Sequence, residues 1–150
     1  MKIAIANRQR RWPIEAKKLR KVAEMILSDL GCPDSELSIS IVGDRTIRRI
    51  NRDYLDRDKT TNVISFAMHE GDFGELNPQM LGDVIICADT ASREAEEGDM
   101  PFFSRLSFLL LHGILHITGY DHERSGEAEA ARMEIREREI FGNLNRKGLV

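Results

Sequence analysis

Apolar and polar residues follow different periods along the chain, and each change of period marks a boundary between a strand and a helix. Short alternating or continuous apolar runs predict strands over residues 2–7, 37–41, 63–67 and 83–87. Spacings of three and four predict helices over residues 13–30, 45–55, 88–97, 101–119 and 125–142. The glycine-containing segment from His69 to Met80 is predicted to be a loop. This order favours a single α+β domain over residues 1–150, a mixed sheet of about four strands packed with helices.

The predicted helix over residues 101–119 is apolar on all sides, which is typical of a helix buried at the centre of a domain. Its longest apolar run, around Leu106 to Leu111, is far shorter than the roughly 20 residues that cross a bilayer. The amino terminus lacks the pattern of a signal peptide. Cys32 and Cys87 have no partner at metal-binding or redox spacing, which suits a reducing compartment. We therefore expect a cytoplasmic protein with no membrane partner.

Three of the four histidines lie in one short segment, at His112, His116 and His122. The first two are one turn apart on the same face of the buried helix, and Gly119 can end that helix so that His122 returns. Three neutral imidazoles with an open fourth position are typical of catalytic zinc, which lowers the pKa of its water and polarises a phosphoryl or carbonyl oxygen. The alternative is two hydrogen-bonded core histidines and one surface histidine. That alternative suits a single histidine better than three at this spacing.

The spacing equals that of the extended zinc-protease signature, H-E-x-x-H-x-x-G-x-x-H, including its glycine at Gly119. The protease has a Glu general base directly after the first histidine, whereas this chain has Gly113, which cannot accept a proton. Peptide hydrolysis is therefore disfavoured. A phosphodiester substrate chiefly needs positive charge against the developing oxyanion, so it fits the site better. A Glu restored at position 113 should confer peptidase activity only if the cleft fits a peptide.

The net charge of −3 conceals a division along the chain. Residues 1–63 carry a balance of +5 and residues 64–150 a balance of −8. The basic residues concentrate in two clusters, over residues 8–21 and 45–59. Either cluster alone is more typical of a solvated helix face. Taken with the histidine site, we expect the two clusters to form one phosphate-binding surface that borders it, with the acidic last helix on the reverse face.

Three motifs resemble those of one known family, the YbeY-type endoribonucleases, also called rRNA maturation factors. The segment from His112 to His122 is similar to that family's H-G-x-L-H-x-x-G-Y-D-H motif at every specified position. Two further segments are similar to its K-x-T-[DN]-V-L-S-F and L-G-D-[IV]-x-I motifs, and they lie over residues 58–66 and 81–86. Together with length and element order, the resemblance covers nearly the whole chain.

The resemblance implies a zinc-dependent, single-strand-specific endoribonuclease that acts in small-subunit rRNA maturation and ribosome quality control. It also implies a fold related to the zinc-protease core. By matching position, His112, His116 and His122 would bind one Zn²⁺ per chain. The implied partners are single-stranded RNA, including rRNA, and the small ribosomal subunit.

One position departs from the family pattern. After Tyr54 the family often has an arginine that is thought to act in catalysis, whereas this chain has Leu55. Arg57 is the first candidate replacement, because it keeps nearly the same distance from the second motif, and Arg52 is the other. Asp121 has two interpretations, an acceptor that fixes an imidazole tautomer or a turn residue.

Two other functions share part of this pattern. A metalloprotease-like zinc hydrolase of a carbonyl substrate would use the same ligand spacing. A non-enzymatic, ribosome-associated module would use the zinc structurally, and its histidine variants would then unfold. A catalytic site should instead lose activity while the fold persists.

Overall fold

The structure, a computed structural model, describes residues 1–68, 79–120 and 126–150. Asp121 and His122, two of the expected site residues, lie outside these ranges. The described residues form four strands and five helices, which confirms the predicted α+β class with a mixed sheet of four strands. In chain order the elements are β1 (Lys2–Asn7), α1 (Ala16–Asp29), β2 (Glu36–Val42), α2 (Asp44–Leu55), β3 (Val63–Ala67), β4 (Met80–Cys87), α3 (Ala88–Glu97), α4 (Phe102–Ile117) and α5 (Glu127–Arg146).

The sheet has the order β1-β2-β4-β3. The first three of these strands run parallel, and β3 pairs antiparallel with β4 at one edge. The close pairing of β3 with β4 depends on Gly82, which has a φ of +150°. A Cβ at this position would clash with the backbone carbonyl of Phe66. The edge strand β3 is thereby fixed in register against the centre of the sheet.

Successive side chains of a strand point to opposite faces, so the sheet carries two separate cores. Helices α1, α4 and α5 pack on one face, with α3 contributing at its edge, and bury Ile39, Ile41, Val84 and Ile86. Helix α2 packs on the other face through Ile47. The residues that it covers there are Val42, Ile64 and Cys87, with Phe66 and Ile85 partly buried beside them.

This arrangement divides the basic surface that the sequence predicts. The lysines of α1 and the arginines of α2 belong to helices on opposite faces of the sheet, because the two helices pack against alternate side chains of the same strands. The expectation of one continuous surface over residues 8–21 and 45–59 is therefore wrong for the part of the first cluster that lies on α1.

Three element boundaries differ from the sequence prediction by three residues or more. Helix α1 begins at Ala16 instead of residue 13, because the Gln9 side chain hydrogen-bonds both the amide and the carbonyl of Trp12 and holds a turn there. Strand β4 begins at Met80, which pairs with Glu36 of β2. Helix α5 runs four residues further than predicted, to Arg146, because Leu144 is buried in the core.

Asp44 is the first residue of α2 and follows the extended Gly43. The Asp44 amide donates to Asp89 Oδ2 of α3 at 2.9 Å, and Asp89 Oδ1 accepts from Trp12 Nε1 at 2.9 Å. The Asp44 carboxylate accepts two hydrogen bonds from Arg93, each at 3.0 Å, which lower its pKa. Asp89 thus joins α3 to α2 and to the segment that contains Trp12, at the carboxyl ends of the parallel strands.

Within the described ranges, no single helix is long and apolar enough to cross a membrane. Helices α3 and α4 satisfy a test of length and composition only when taken together, and they are bent by 116° at the break between them.

We expect Asp89→Ala to lower the free energy of unfolding by about 2 kcal/mol, because it leaves the Trp12 indole and the first amide of α2 without their acceptor. Urea denaturation of the purified protein measures this loss. Asp53→Ala is the control, since it removes an exposed carboxylate whose pair with Arg52 should contribute at most about 1 kcal/mol. Equal effects of the two variants would contradict the bridging role of Asp89.

Candidate metal centre

Helix α4 brings His112 and His116 together on the side of the helix that reaches the surface. Both side chains are half-buried, while their neighbours Leu111, Gly113 and Leu115 are buried. The Nε2 atoms of the two rings are 3.1 Å apart, and the rings meet at 71°. The four-residue spacing therefore produces the shared face that the sequence predicts.

A buried carboxylate from α5 lies on the other side of His112. Glu137 Oε1 is 3.1 Å from His112 Nδ1. An ionised carboxylate only accepts hydrogen bonds, so in a neutral His112 ring Nδ1 carries the proton and Nε2 keeps its lone pair. That lone pair is directed toward the His116 ring, the side on which a shared ligand of both histidines would bind.

The two ring nitrogens fit a transition-metal ion. Nitrogens bound to a tetrahedral zinc at about 2.0–2.1 Å are about 3.3–3.4 Å apart, close to the spacing of the two Nε2 atoms. Imidazole nitrogen is also a preferred donor for zinc and its neighbours in the first transition series. His112 and His116 can thus supply two ligands, and the third predicted ligand, His122, lies outside the described residues.

Close contact with the sheet fixes the position of α4. A Cβ at Gly113 would be 2.6 Å from Val84 Cγ1 and 3.1 Å from Ser65 Oγ. The Ser65 hydroxyl donates to the Gly113 carbonyl oxygen at 3.2 Å. Position 113 therefore faces β3 and β4 without space for a side chain. Close packing against the sheet by itself requires glycine at the position where the protease signature has its Glu. A restored Glu would clash with the sheet, so this substitution cannot test for a peptide cleft.

The two arginines expected to act in catalysis, Arg52 and Arg57, lie on or just after α2, whereas α4 packs on the opposite face of the sheet. Arg52 is exposed on α2 and pairs with Asp53 at 3.0 Å. Arg57 is exposed just after α2, and its amide donates to the Asn51 carbonyl at 3.2 Å. Asn51 is buried and also donates to the Lys59 carbonyl, so it holds the turn that carries Arg57. The structure shows no contact of either arginine with His112 or His116 within the described ranges.

A second group of potential ligands lies at the amino end of α2. Ligand atoms of Asp44, Cys87 and Asp89 are within 4.8 Å of one another, a composition consistent with a metal. Burial raises the pKa of the Cys87 thiol, which disfavours the thiolate that binds metals. The two carboxylates already accept hydrogen bonds from Arg93, Trp12 and the α2 amide. This group is better explained as a structural network.

Glu137 is the residue of this centre that sequence reasoning missed. Helix α5 was expected on the reverse face because it is acidic, but it packs against α4 beside the histidines. The signal was present in the sequence, because Glu137 occupies a position of the apolar stripe, whose other members are Met133, Ile140 and Leu144. An acidic residue in such a stripe indicates a buried partner.

Comparisons with known proteins point to one family. The family model described as Endoribonuclease YbeY matches residues 4–145. A curated relative of that description from Geobacter metallireducens is 75% identical over 150 residues and covers 100% of both chains. Relatives of the same description from Geobacter sulfurreducens and Syntrophotalea carbinolica are 71% and 58% identical, and they cover 100% and 98% of both chains.

The fold also matches a solved structure. The solution structure of a Thermotoga maritima protein aligns with a TM-score of 0.62 and 21% sequence identity. The alignment covers 98% of this chain and 94% of that chain. At this identity the likeness shows the fold alone.

We expect Gly113→Ala to lower the free energy of unfolding by about 1–2 kcal/mol, because overpacking against the sheet outweighs the better helix propensity of alanine. Chemical denaturation measures the loss. Val84→Ala removes the nearest methyl groups, so the double variant should lose less than the sum of the two single losses. Additivity within about 0.5 kcal/mol would contradict the close contact.

Proposed function

The chain belongs to the YbeY endoribonuclease family, and we propose that it is a zinc-dependent, single-strand-specific endoribonuclease that acts in small-subunit rRNA maturation and ribosome quality control. The family membership supports an RNA-hydrolysing enzyme. The observation that carries the zinc dependence is the convergence of two imidazole Nε2 atoms at a spacing that suits a metal ion. We further propose that residues 1–150 act as one domain in the cytoplasm, on single-stranded rRNA of the small ribosomal subunit.

In this proposal His112, His116 and His122 hold one Zn²⁺. When bound, the zinc supplies a water of lowered pKa and polarises the scissile phosphodiester. Helix α4 contributes two of the three nitrogens from a buried scaffold, so their spacing is set before the metal binds. Asp121, if it accepts a hydrogen bond from one of the imidazoles, would fix that ring's tautomer.

The chain's own cations supply charge against the phosphodiester. We propose Arg57 first and Arg52 second as the residues that stabilise the developing oxyanion, in place of the arginine that Leu55 replaces. Both are exposed at the carboxyl end of α2, next to the edge strand β3 whose Ser65 contacts α4. An RNA strand that passes over this edge of the sheet could reach both the arginines and the histidines.

Helix α2 has a basic outer face, formed by a row of exposed arginines on the side away from the sheet. The arginines of this row are Arg45, Arg48, Arg49 and Arg52. Two of them pair with single exposed carboxylates, Arg48 with Asp58 at 2.9 Å and Arg52 with Asp53 at 3.0 Å. Exposed pairs of this kind are weak, so a phosphate can replace the carboxylate at little cost. We propose that this row binds the RNA backbone.

We expect His116→Ala to abolish zinc binding and to reduce the cleavage of a single-stranded oligoribonucleotide by more than about 100-fold. Loss of a residue that only hydrogen-bonds a metal ligand typically costs roughly 10–100-fold, and His116 is proposed to be a ligand itself. Metal analysis and a cleavage assay with a fluorescent oligonucleotide measure the two effects, with the same sequence as a duplex for comparison. Chelation should inactivate the native protein, and added zinc should restore it.

The fold of the His116→Ala variant separates this proposal from a structural zinc module. Because the core of α4 consists of buried apolar residues, we expect the variant to remain folded by circular dichroism. Unfolding of the variant would favour a structural zinc instead. A zinc-loaded native protein that cleaves no single-stranded RNA would contradict the nuclease proposal.

We expect the triple variant Arg48→Gln, Arg49→Gln, Arg52→Gln to bind single-stranded RNA more weakly. The slope of log K against log salt concentration should become shallower by about 0.7 for each phosphate that the variant no longer neutralises. Fluorescence anisotropy over a range of salt concentrations measures both quantities. The control is Lys17→Gln, Lys18→Gln, Lys21→Gln, which removes the same charge from α1 on the other face of the sheet. Equal slopes for the two variants would contradict an RNA surface on α2.

A further inference from the structure

Glu137 is one of only three buried polar or charged residues among those the structure describes, with 8% of its surface exposed. Removing a carboxylate from water is costly unless a partner compensates for the lost solvation. Arg132, Arg136 and Arg138 are close along α5, but Arg132 pairs with Glu129 and Arg136 with Glu139. The ion pair that Glu137 makes within the described ranges is with a histidine, His112.

The position of Glu137 on α5 is one that packing alone would give to an apolar residue. It lies four residues after Met133 and three before Ile140, and both of these are fully buried against the core. A leucine there would continue the stripe without any desolvation cost. The acidic residue therefore needs an explanation other than helix packing.

The contact with His112 supplies that explanation. Glu137 Oε1 is 3.1 Å from Nδ1, on the side of the ring away from His116, while Nε2 of His112 is 3.1 Å from Nε2 of His116. The carboxylate thus selects the tautomer with a proton on Nδ1 and restricts rotation of the ring.

We propose that Glu137 is a positioning residue for the metal centre, which fixes the tautomer and orientation of His112 from helix α5 and so increases metal affinity. This inference rests on the proposed zinc site, and it names a residue outside the histidine motif. Its role is to hold the imidazole in its ligating geometry before metal arrives. Helix α5 thereby becomes part of the functional centre instead of its reverse face.

The test compares Glu137→Leu and Glu137→Gln with the native protein, using zinc as the probe. We expect Glu137→Leu to raise the Kd for zinc by about 10–100-fold, the usual effect of losing such a partner. Glu137→Gln keeps an acceptor oxygen without the charge and should fall between the native protein and Glu137→Leu. Titration against a chromophoric chelator measures the three affinities.

The stability of the metal-free proteins separates positioning from packing. Because leucine suits the apolar stripe, metal-free Glu137→Leu should be at least as stable as the native protein in urea, although it binds zinc more weakly. One outcome would assign Glu137 to packing and overturn the proposal. In that outcome Glu137→Leu loses both stability and zinc affinity, while Glu137→Gln binds zinc as tightly as the native protein. The proposal would also be overturned if the Kd for zinc were unchanged in both Glu137 variants.

Two controls make the outcome specific. Glu134→Gln removes one exposed negative charge from the same helix and should change the Kd by less than about twofold. His116→Ala, measured in the same titration, reports on the site itself. If His116→Ala binds zinc as tightly as the native protein, the proposed zinc site fails. If it loses zinc while both Glu137 variants retain native affinity, only the positioning role fails.

Discussion

The close contact between α4 and the sheet at Gly113 determines where the candidate metal centre lies. A helix can approach a sheet this closely only where it has no side chain, and here Val84 and the Ser65 hydroxyl occupy the space. The Ser65 hydrogen bond to the Gly113 carbonyl adds a directional contact to the apolar packing. With one side of α4 held against β3 and β4, His112 and His116 are directed to the half-buried side of the helix.

This constraint gives the histidines of the candidate metal centre an unusual environment. Their helix is almost entirely apolar and buried, so it provides a rigid support, but the rings themselves remain partly accessible. Sites built on such elements keep their geometry better than sites on loops. Helix α5 completes the support from the side, because it brings a carboxylate to the far nitrogen of His112. The polar groups of the centre therefore depend on the packing of two helices against one sheet face.

The two cores of the sheet separate the candidate metal centre from the basic helix. Helix α2 covers the face opposite α4, and the arginines lie on its outer side. At the edge of the sheet, strand β3 contacts both sides, since Ser65 contacts α4 and Phe66 packs toward Tyr54 at the end of α2. A substrate that uses both sides has to pass this edge. The division of charge along the sequence therefore does not correspond to a division across the sheet, because the basic α1 and the acidic α5 pack on the same face and the basic α2 packs on the other.

The sequence by itself determined the four strands, the five helices and the shared face of His112 and His116, because hydrophobic period and helical spacing are local properties of the chain. Element ends were less well determined, since Gln9 and Leu144 set the limits of α1 and α5 through contacts that no local period records. Only the tertiary structure decided the rest. It placed α1 and α2 on opposite faces, gave Gly113 a packing role, and brought Glu137 from α5 to His112, 25 residues away in the chain. Contacts between residues so far apart in the chain depend on which face of the sheet each helix covers, and the packing of the whole core determines this.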